Sequence, residues 1–153
     1  MTEMRWHQHQ LRVRYGETDQ MGVVYHPNYL TWFEIGRTEF IRELGYPYRR
    51  IEEKGLLLPV IEAGTSFKKP ARYDDVVKIY TRVVEISSVR LRFAYEIRRV
   101  TGEAAADTSF SFEPIGELLV IGTTSHVWVN PSWKPVRIEK EAPELWLLLN
   151  EHA

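Results

Sequence analysis

The sequence predicts an α+β domain in which a curled antiparallel sheet covers one long helix. Three observations carry this. Residues 27–44 place apolar side chains at helical spacing, the one long helix in the main body. The chain beyond residue 55 is dominated by long runs that alternate apolar and polar residues, the period of a strand with one wet face. No internal repeat, low-complexity stretch or linker divides the 153 residues, so that helix of about four turns has only strands to bury its apolar face against.

In chain order, residues 1–9 read as an exposed N-terminal extension. His7 and His9 flank Gln8 there, but no acidic or cysteine partner stands nearby, so no metal site is expected. Residues 10–15 alternate Leu11, Val13 and Tyr15 with Arg12 and Arg14, a first strand. A polar turn follows at residues 16–22, with Gly16 and Gly22 at its ends, then the apolar run Val23-Val24-Tyr25. Pro27 or Asn28 opens the helix, since proline has no N–H to lose in a first turn and asparagine caps well. Leu30, Phe33, Arg37, Ile41 and Leu44, with Tyr29 and Phe40 beside them, form its face. Glu34 and Arg37 lie three apart, the spacing of a structural ion pair. Gly45 and Pro47 end the helix.

A short helical piece is expected at residues 49–53 and a strand at 56–67, with Pro59 marking an edge or bulge at its start. Residues 68–75 form a loop. Two long strands follow at 76–86 and 89–100. In the second, Val89, Leu91, Phe93, Tyr95 and Ile97 oppose Arg90, Arg92, Glu96 and Arg98. Residues 117–129 make another strand, on which His126 is sheet packing. A short strand piece is expected at 136–138. Residues 143–150 form a C-terminal helix docked by Leu145, Trp146, Leu148 and Leu149.

The composition is that of a globular protein, with 44% hydrophobic and 27% charged residues. A net charge of −1 provides no global field toward nucleic acid or an anionic membrane. The absence of cysteine removes disulfides, thiolate metal sites and a cysteine nucleophile. No apolar run reaches signal-peptide or transmembrane length, so a cytoplasmic protein is the expectation. No Gly-x-Ser-x-Gly elbow or phosphate-binding glycine loop is present.

Tyr15, Asp19, Gly22, Val24, Tyr25, His26, Asn28, Tyr29, Glu34 and Arg37 form an ordered signature. It resembles that of the hotdog-fold acyl-CoA thioesterases of the 4-hydroxybenzoyl-CoA thioesterase-like family. Pro70 to Asp75 resembles a further stretch of that family. The resemblance implies a single hotdog domain over residues 1–153, with residues 101–116 a hairpin insertion. It also implies hydrolysis of an aryl or short to medium acyl-CoA, with no cofactor beyond the CoA of the substrate. Hydrolysis of acyl carrier protein thioesters, or binding without catalysis, are the alternatives. Family members dimerise through a continuous sheet, and an open edge at 56–67 suits that, so a homodimer or homotetramer is expected.

The chemistry centres on Asp19. From spacing alone, an aspartate in a glycine-bracketed turn is most often a turn residue. The resemblance makes it the essential carboxylate, as nucleophile or general base. The helix start offers unpaired backbone N–H groups around Tyr25 and His26 as an oxyanion hole, with the His26 backbone ranked ahead of its imidazole. Tyr25, Pro59 and Val60 are the candidate substrate contacts, Tyr25 fitting a core aromatic equally well. CoA phosphates require cations. Lys68, Lys69 and Arg72 share one loop, and the resemblance points to Arg90 and Arg137.

Overall fold

The computed structural model describes residues 5–101 and 109–153. Strand β1 is Trp6–Arg12, followed by a 3-10 turn at Tyr15–Glu17, helix α1 at Asn28–Glu43 and helix α2 at Tyr48–Glu53. Strands β2 (Val60–Phe67), β3 (Val76–Ile86), β4 (Arg90–Val100), β5 (Ser109–Ser111) and β6 (Glu117–Val127) come next, then helices α3 (Ile138–Glu141) and α4 (Pro143–Glu151). The strands form one antiparallel sheet in the order β2-β6-β4-β3-β1-β5. This is the expected α+β architecture, with α1 buried against the sheet's inner face. Among the described residues no helix is long and apolar enough to cross a membrane.

Close approach seats the helix. A Cβ on Gly36 of α1 would lie 2.5 Å from Thr81 Oγ1, and one on Gly122 of β6 would lie 2.5 Å from the Phe33 ring. Glycine alone admits this contact at both points. Phe33 then stacks on Tyr95 at 4.3 Å between ring centroids. The buried face is Tyr29, Trp32, Phe33, Gly36, Phe40 and Ile41, which differs from the expected stripe. Leu30 is 46% exposed, and Arg37 makes no ion pair with Glu34.

The expected exposed extension is overturned where it is described. His7 to Arg12 pair with Thr81 to Val76 of β3, and His7 is fully buried, its ring edge-on to Phe40 and Phe110. Counting the two histidines as polar hid the alternation. Residues 1–4 of that extension lie outside the described residues, as do 102–108 of the expected insertion. The insertion's end, β5, pairs with β1. The expected strand piece at 136–138 is absent: Val136 N–H still bonds Trp128 O, but Ile138 opens α3. β2 starts at Val60, just after Pro59, and carries an irregularity between Val60 and Glu62, as the proline suggests. The C-terminal helix buries Leu145 and Leu149, with Trp146 and Leu148 half-buried beside them.

His126 is sheet packing, but polar packing. It is 1% exposed, with Nδ1 3.3 Å from Leu58 O and Nε2 2.8 Å from Thr124 Oγ1. Burial, then the nearby Arg37 charge, lowers its pKa to about 4, and burial, then His9, does the same to His7. Both values lie below the ordinary 6.5, so the unfolded chain binds these protons first. Stability is therefore full above about pH 6.5 and falls as pH drops toward 4, by up to about 3 kcal/mol per histidine. Urea melts across that range should show the fall, and a His7→Leu protein should show a shallower one.

Candidate active site

The turn before α1 is built around Glu17. Its backbone carbonyl accepts the Tyr25 N–H at 2.9 Å and the Asn28 side-chain amide at 2.8 Å. Its carboxylate accepts the Arg14 N–H at 2.8 Å and the Trp32 indole N–H at 2.8 Å. Two residues on, Asp19 N–H bonds Val23 O, closing the loop as a narrow hairpin. Asp19 Oδ1 accepts the Met21 N–H at 2.9 Å, an Asx turn, and Gly22 at φ +80° completes it by donating to Asp19 O. Oδ1 is thus engaged, while Oδ2 has no hydrogen-bond partner among the described residues.

Asp19 lines a cavity of about 230 Å³ with His26, Tyr29, Phe67, Lys68 and Lys69. Val23 and Val24 extend its apolar wall. Tyr29 and Phe67 form an aromatic side, their rings 5.6 Å apart, and the His26 ring stands edge-on to Phe67 at 6.1 Å. The Tyr29 hydroxyl accepts the Ala71 N–H at 3.1 Å, and burial raises the phenol's pKa. The far wall is the loop at residues 68–75, held by Arg99, which donates to Pro70 O at 2.6 Å and to Asp75 at 2.9 Å. Lys69 pairs with Glu117 at 2.9 Å, whereas Lys68 forms no ion pair among the described residues.

The helix start corrects one expectation. Tyr25 N–H is spent on Glu17 O, Asn28 N–H on Tyr25 O and Tyr29 N–H on His26 O, and Pro27 has none. Among the described residues only the His26 N–H in this stretch, residues 25–29, lacks an acceptor. Tyr25 is 51% exposed, so it is no core aromatic, and it does not line the cavity.

The remaining candidates lie elsewhere on the chain. Val60 pairs with His126 at one end of β2, while Phe67 pairs with Val120 at the other. Seven residues of strand separate them by about 23 Å. Arg90 pairs with Val127, and Ile138 N–H bonds Ser88 O, so Arg90 and Arg137 share the Val60 end. Arg90 lines a separate small cavity with Glu62, Glu85 and Arg92. One chain therefore joins Asp19 to His26, Lys68 and Lys69, but not to Pro59, Val60, Arg90 or Arg137. Glu17, Tyr29 and Phe67 were missed as site residues. Tyr29 had a signal, its place in the first turn of the helix beside the polar loop. Phe67 and Glu17 had none, because strand register and a long-range bond to an indole decide them. No group of three or more potential metal ligands occurs among the described residues.

Comparison with known proteins agrees with this geometry. The profile of the thioesterase-like superfamily matches residues 13–141. A Bacillus subtilis (strain 168) protein, provisionally named acyl-CoA thioesterase YneP, is 38% identical over 136 residues, which is 88% of each chain. The solved DHNA-CoA thioesterase from Staphylococcus aureus superposes with a TM-score of 0.83 at 31% identity, over 95% of this chain and 89% of that one. A 4-hydroxybenzoyl-CoA thioesterase solved with 4-hydroxybenzoyl-CoA shares the fold at a TM-score of 0.73 and 22% identity, over 92% and 98% of the two chains. The fold is the hotdog, and the chain belongs to the thioesterase-like superfamily.

Proposed function

We propose that this protein hydrolyses acyl-CoA thioesters to the free acid and CoA, with Asp19 as the reacting carboxylate. The observation that carries the reading is the cavity itself. It brings to one apolar slot two lysines and, among the described residues, a carboxylate oxygen without a partner and a helix-start residue with an unpaired N–H. The similarity to proteins named as CoA thioesterases supports the substrate. The acyl group occupies the slot between Tyr29 and Phe67, and the His26 N–H receives the developing oxyanion. Asp19 Oδ2 either attacks the carbonyl carbon, expelling CoA thiolate to leave a mixed anhydride that water cleaves, or takes a proton from the attacking water. A cytoplasmic location belongs to the same reading. The decisive measurement is thiol release from a panel of acyl-CoA and acyl carrier protein thioesters by the wild type and by Asp19→Asn. A fall of about a hundredfold or more in kcat with an unchanged melting temperature is expected. Near wild-type turnover by the variant would remove Asp19 from the mechanism, and turnover of carrier-protein thioesters alone would change the substrate class.

The reading includes a dimer. Among the described residues β2 is a sheet edge with no neighbour beyond it, and Val60, Ile61 and Phe67 on it are 45%, 49% and 52% exposed. A long unpaired edge of that kind invites a second copy. Antiparallel pairing centred near Gly64 sets the partner's Val60 beside Phe67, at the mouth of the Asp19 cavity. Three strand spacings, about 14 Å, then separate Phe67 from the strand carrying the partner's Arg90. The residues that one chain keeps apart thus meet across the junction, and two such dimers assemble as a tetramer. Light scattering should return two or four times the 18.0 kDa chain mass. An active monomer would sink the shared site.

Arg90→Ala and Arg137→Ala should raise KM for an acyl-CoA severalfold and leave KM for a truncated thioester without the nucleotide unchanged. Equal effects on the two substrates would mean that these arginines do not read the nucleotide phosphates.

A further inference from the structure

We propose that Glu17 is a positioning residue for Asp19, acting through the buried indole of Trp32. The inference rests on the role proposed for Asp19. Trp32 is fully buried in α1, and its one polar atom, Nε1, is satisfied by Glu17 Oε2 at 2.8 Å. The other carboxylate oxygen takes the Arg14 N–H at 2.8 Å, at the entry to the 3-10 turn. The Glu17 carbonyl takes Tyr25 N–H and the Asn28 amide, which fixes both sides of His26. One residue therefore clamps the root of the Asp19 hairpin to the first turns of α1. It sets the carboxylate of Asp19 against the N–H of His26, which is what an acyl transfer site must hold constant. Glu17 does not line the cavity, so it acts on the reaction only through what it holds.

Both carboxylate oxygens work as acceptors, which makes the charge state and the length of this side chain specific. A glutamine keeps one acceptor oxygen and turns an NH2 group toward the other donor. An aspartate keeps both oxygens but is one methylene short of the indole. The experiment measures kcat, KM and the pH profile of acyl-CoA hydrolysis for Glu17→Gln, Glu17→Asp, Trp32→Phe and the Glu17→Gln/Trp32→Phe pair. Melting temperatures and Asp19→Asn are measured beside them.

The expected result is a fall in kcat of about tenfold or more in each single variant, with KM within about twofold of wild type. The acid limb of kcat/KM should keep its midpoint. The paired variant should be no slower than the slower single, because both changes cut one bond. Glu17→Asp should fail to restore turnover. If Trp32→Phe does not fold, the two Glu17 variants carry the test. Wild-type kcat in folded Glu17→Gln, even with a lowered melting temperature, would show a purely structural role and overturn the proposal. Loss of the acid limb in Glu17→Gln would also overturn it, by making Glu17 the base. Failure here with Asp19→Asn inactive leaves the thioesterase reading standing, whereas an active Asp19→Asn strikes that reading itself.

Discussion

The contact between α1 and the sheet at Gly36 and Gly122 governs the rest of the molecule. There is no room at either point for one more carbon, so the helix is held in one place along and above the strands. That placement decides where its N-terminal end emerges, and with it the His26 N–H and the Tyr29 ring. Trp32, one turn further in, passes the placement on by its bond to Glu17. The turn bearing Asp19 is therefore an outgrowth of the helix seat. Its own sequence is polar and glycine-bracketed, and nothing in it buries enough apolar surface to be rigid alone.

The open edge is the complementary constraint. β6 covers one side of β2, and nothing among the described residues covers the other. The opposite edge, β5, is three residues long, which limits pairing there. Cations follow the same division. Lys69 and Arg99 are neutralised by Glu117 and Asp75, and they serve the wall of the cavity. Lys68, Arg90 and Arg137 form no ion pair among the described residues, and they stand at the two ends of the edge strand. A near-neutral protein can thus recruit a phosphate-bearing arm locally, without a basic surface overall.

Much of this was legible in the sequence. β3 and β4 announce themselves by alternation, Leu91, Phe93, Tyr95 and Ile97 facing in against charged neighbours, and their bounds match the expectation closely. The helix and its start at Pro27 were legible from proline chemistry and period. Its face was not, because Leu30 and Trp32 both continue an apolar arc and only the position of the sheet selects Trp32. β1 was hidden by His7, a histidine that burial makes neutral and that packs as an aromatic ring. Asp19, His26, Lys68 and Lys69, singled out from the sequence, line one cavity, but the loss of Tyr25 N–H to Glu17 was not legible. A bond between residues eight apart across an irregular loop has no periodic signature.

A chain of polar atoms through the core links the two ends of this design. The Arg37 charge acts on the Tyr95 hydroxyl, which lies 2.6 Å from Thr124 Oγ1, and Thr124 in turn meets His126 Nε2. His126 Nδ1 faces Leu58 O, directly before Pro59 and the start of β2. With Nδ1–H donating to Leu58 O, Nε2 of a neutral His126 accepts the Thr124 hydroxyl and Thr124 Oγ1 accepts the Tyr95 hydroxyl. This assignment satisfies the three side chains with His126 neutral and its proton on Nδ1. Burial, then the Arg37 charge, keeps the imidazole neutral by lowering its pKa to about 4. The chain runs from Tyr95 on β4 through β6 to Leu58, two residues before the edge strand. A satisfied buried network of this kind specifies one arrangement of the groups it joins, and here it ties β4 and β6 to the approach of β2.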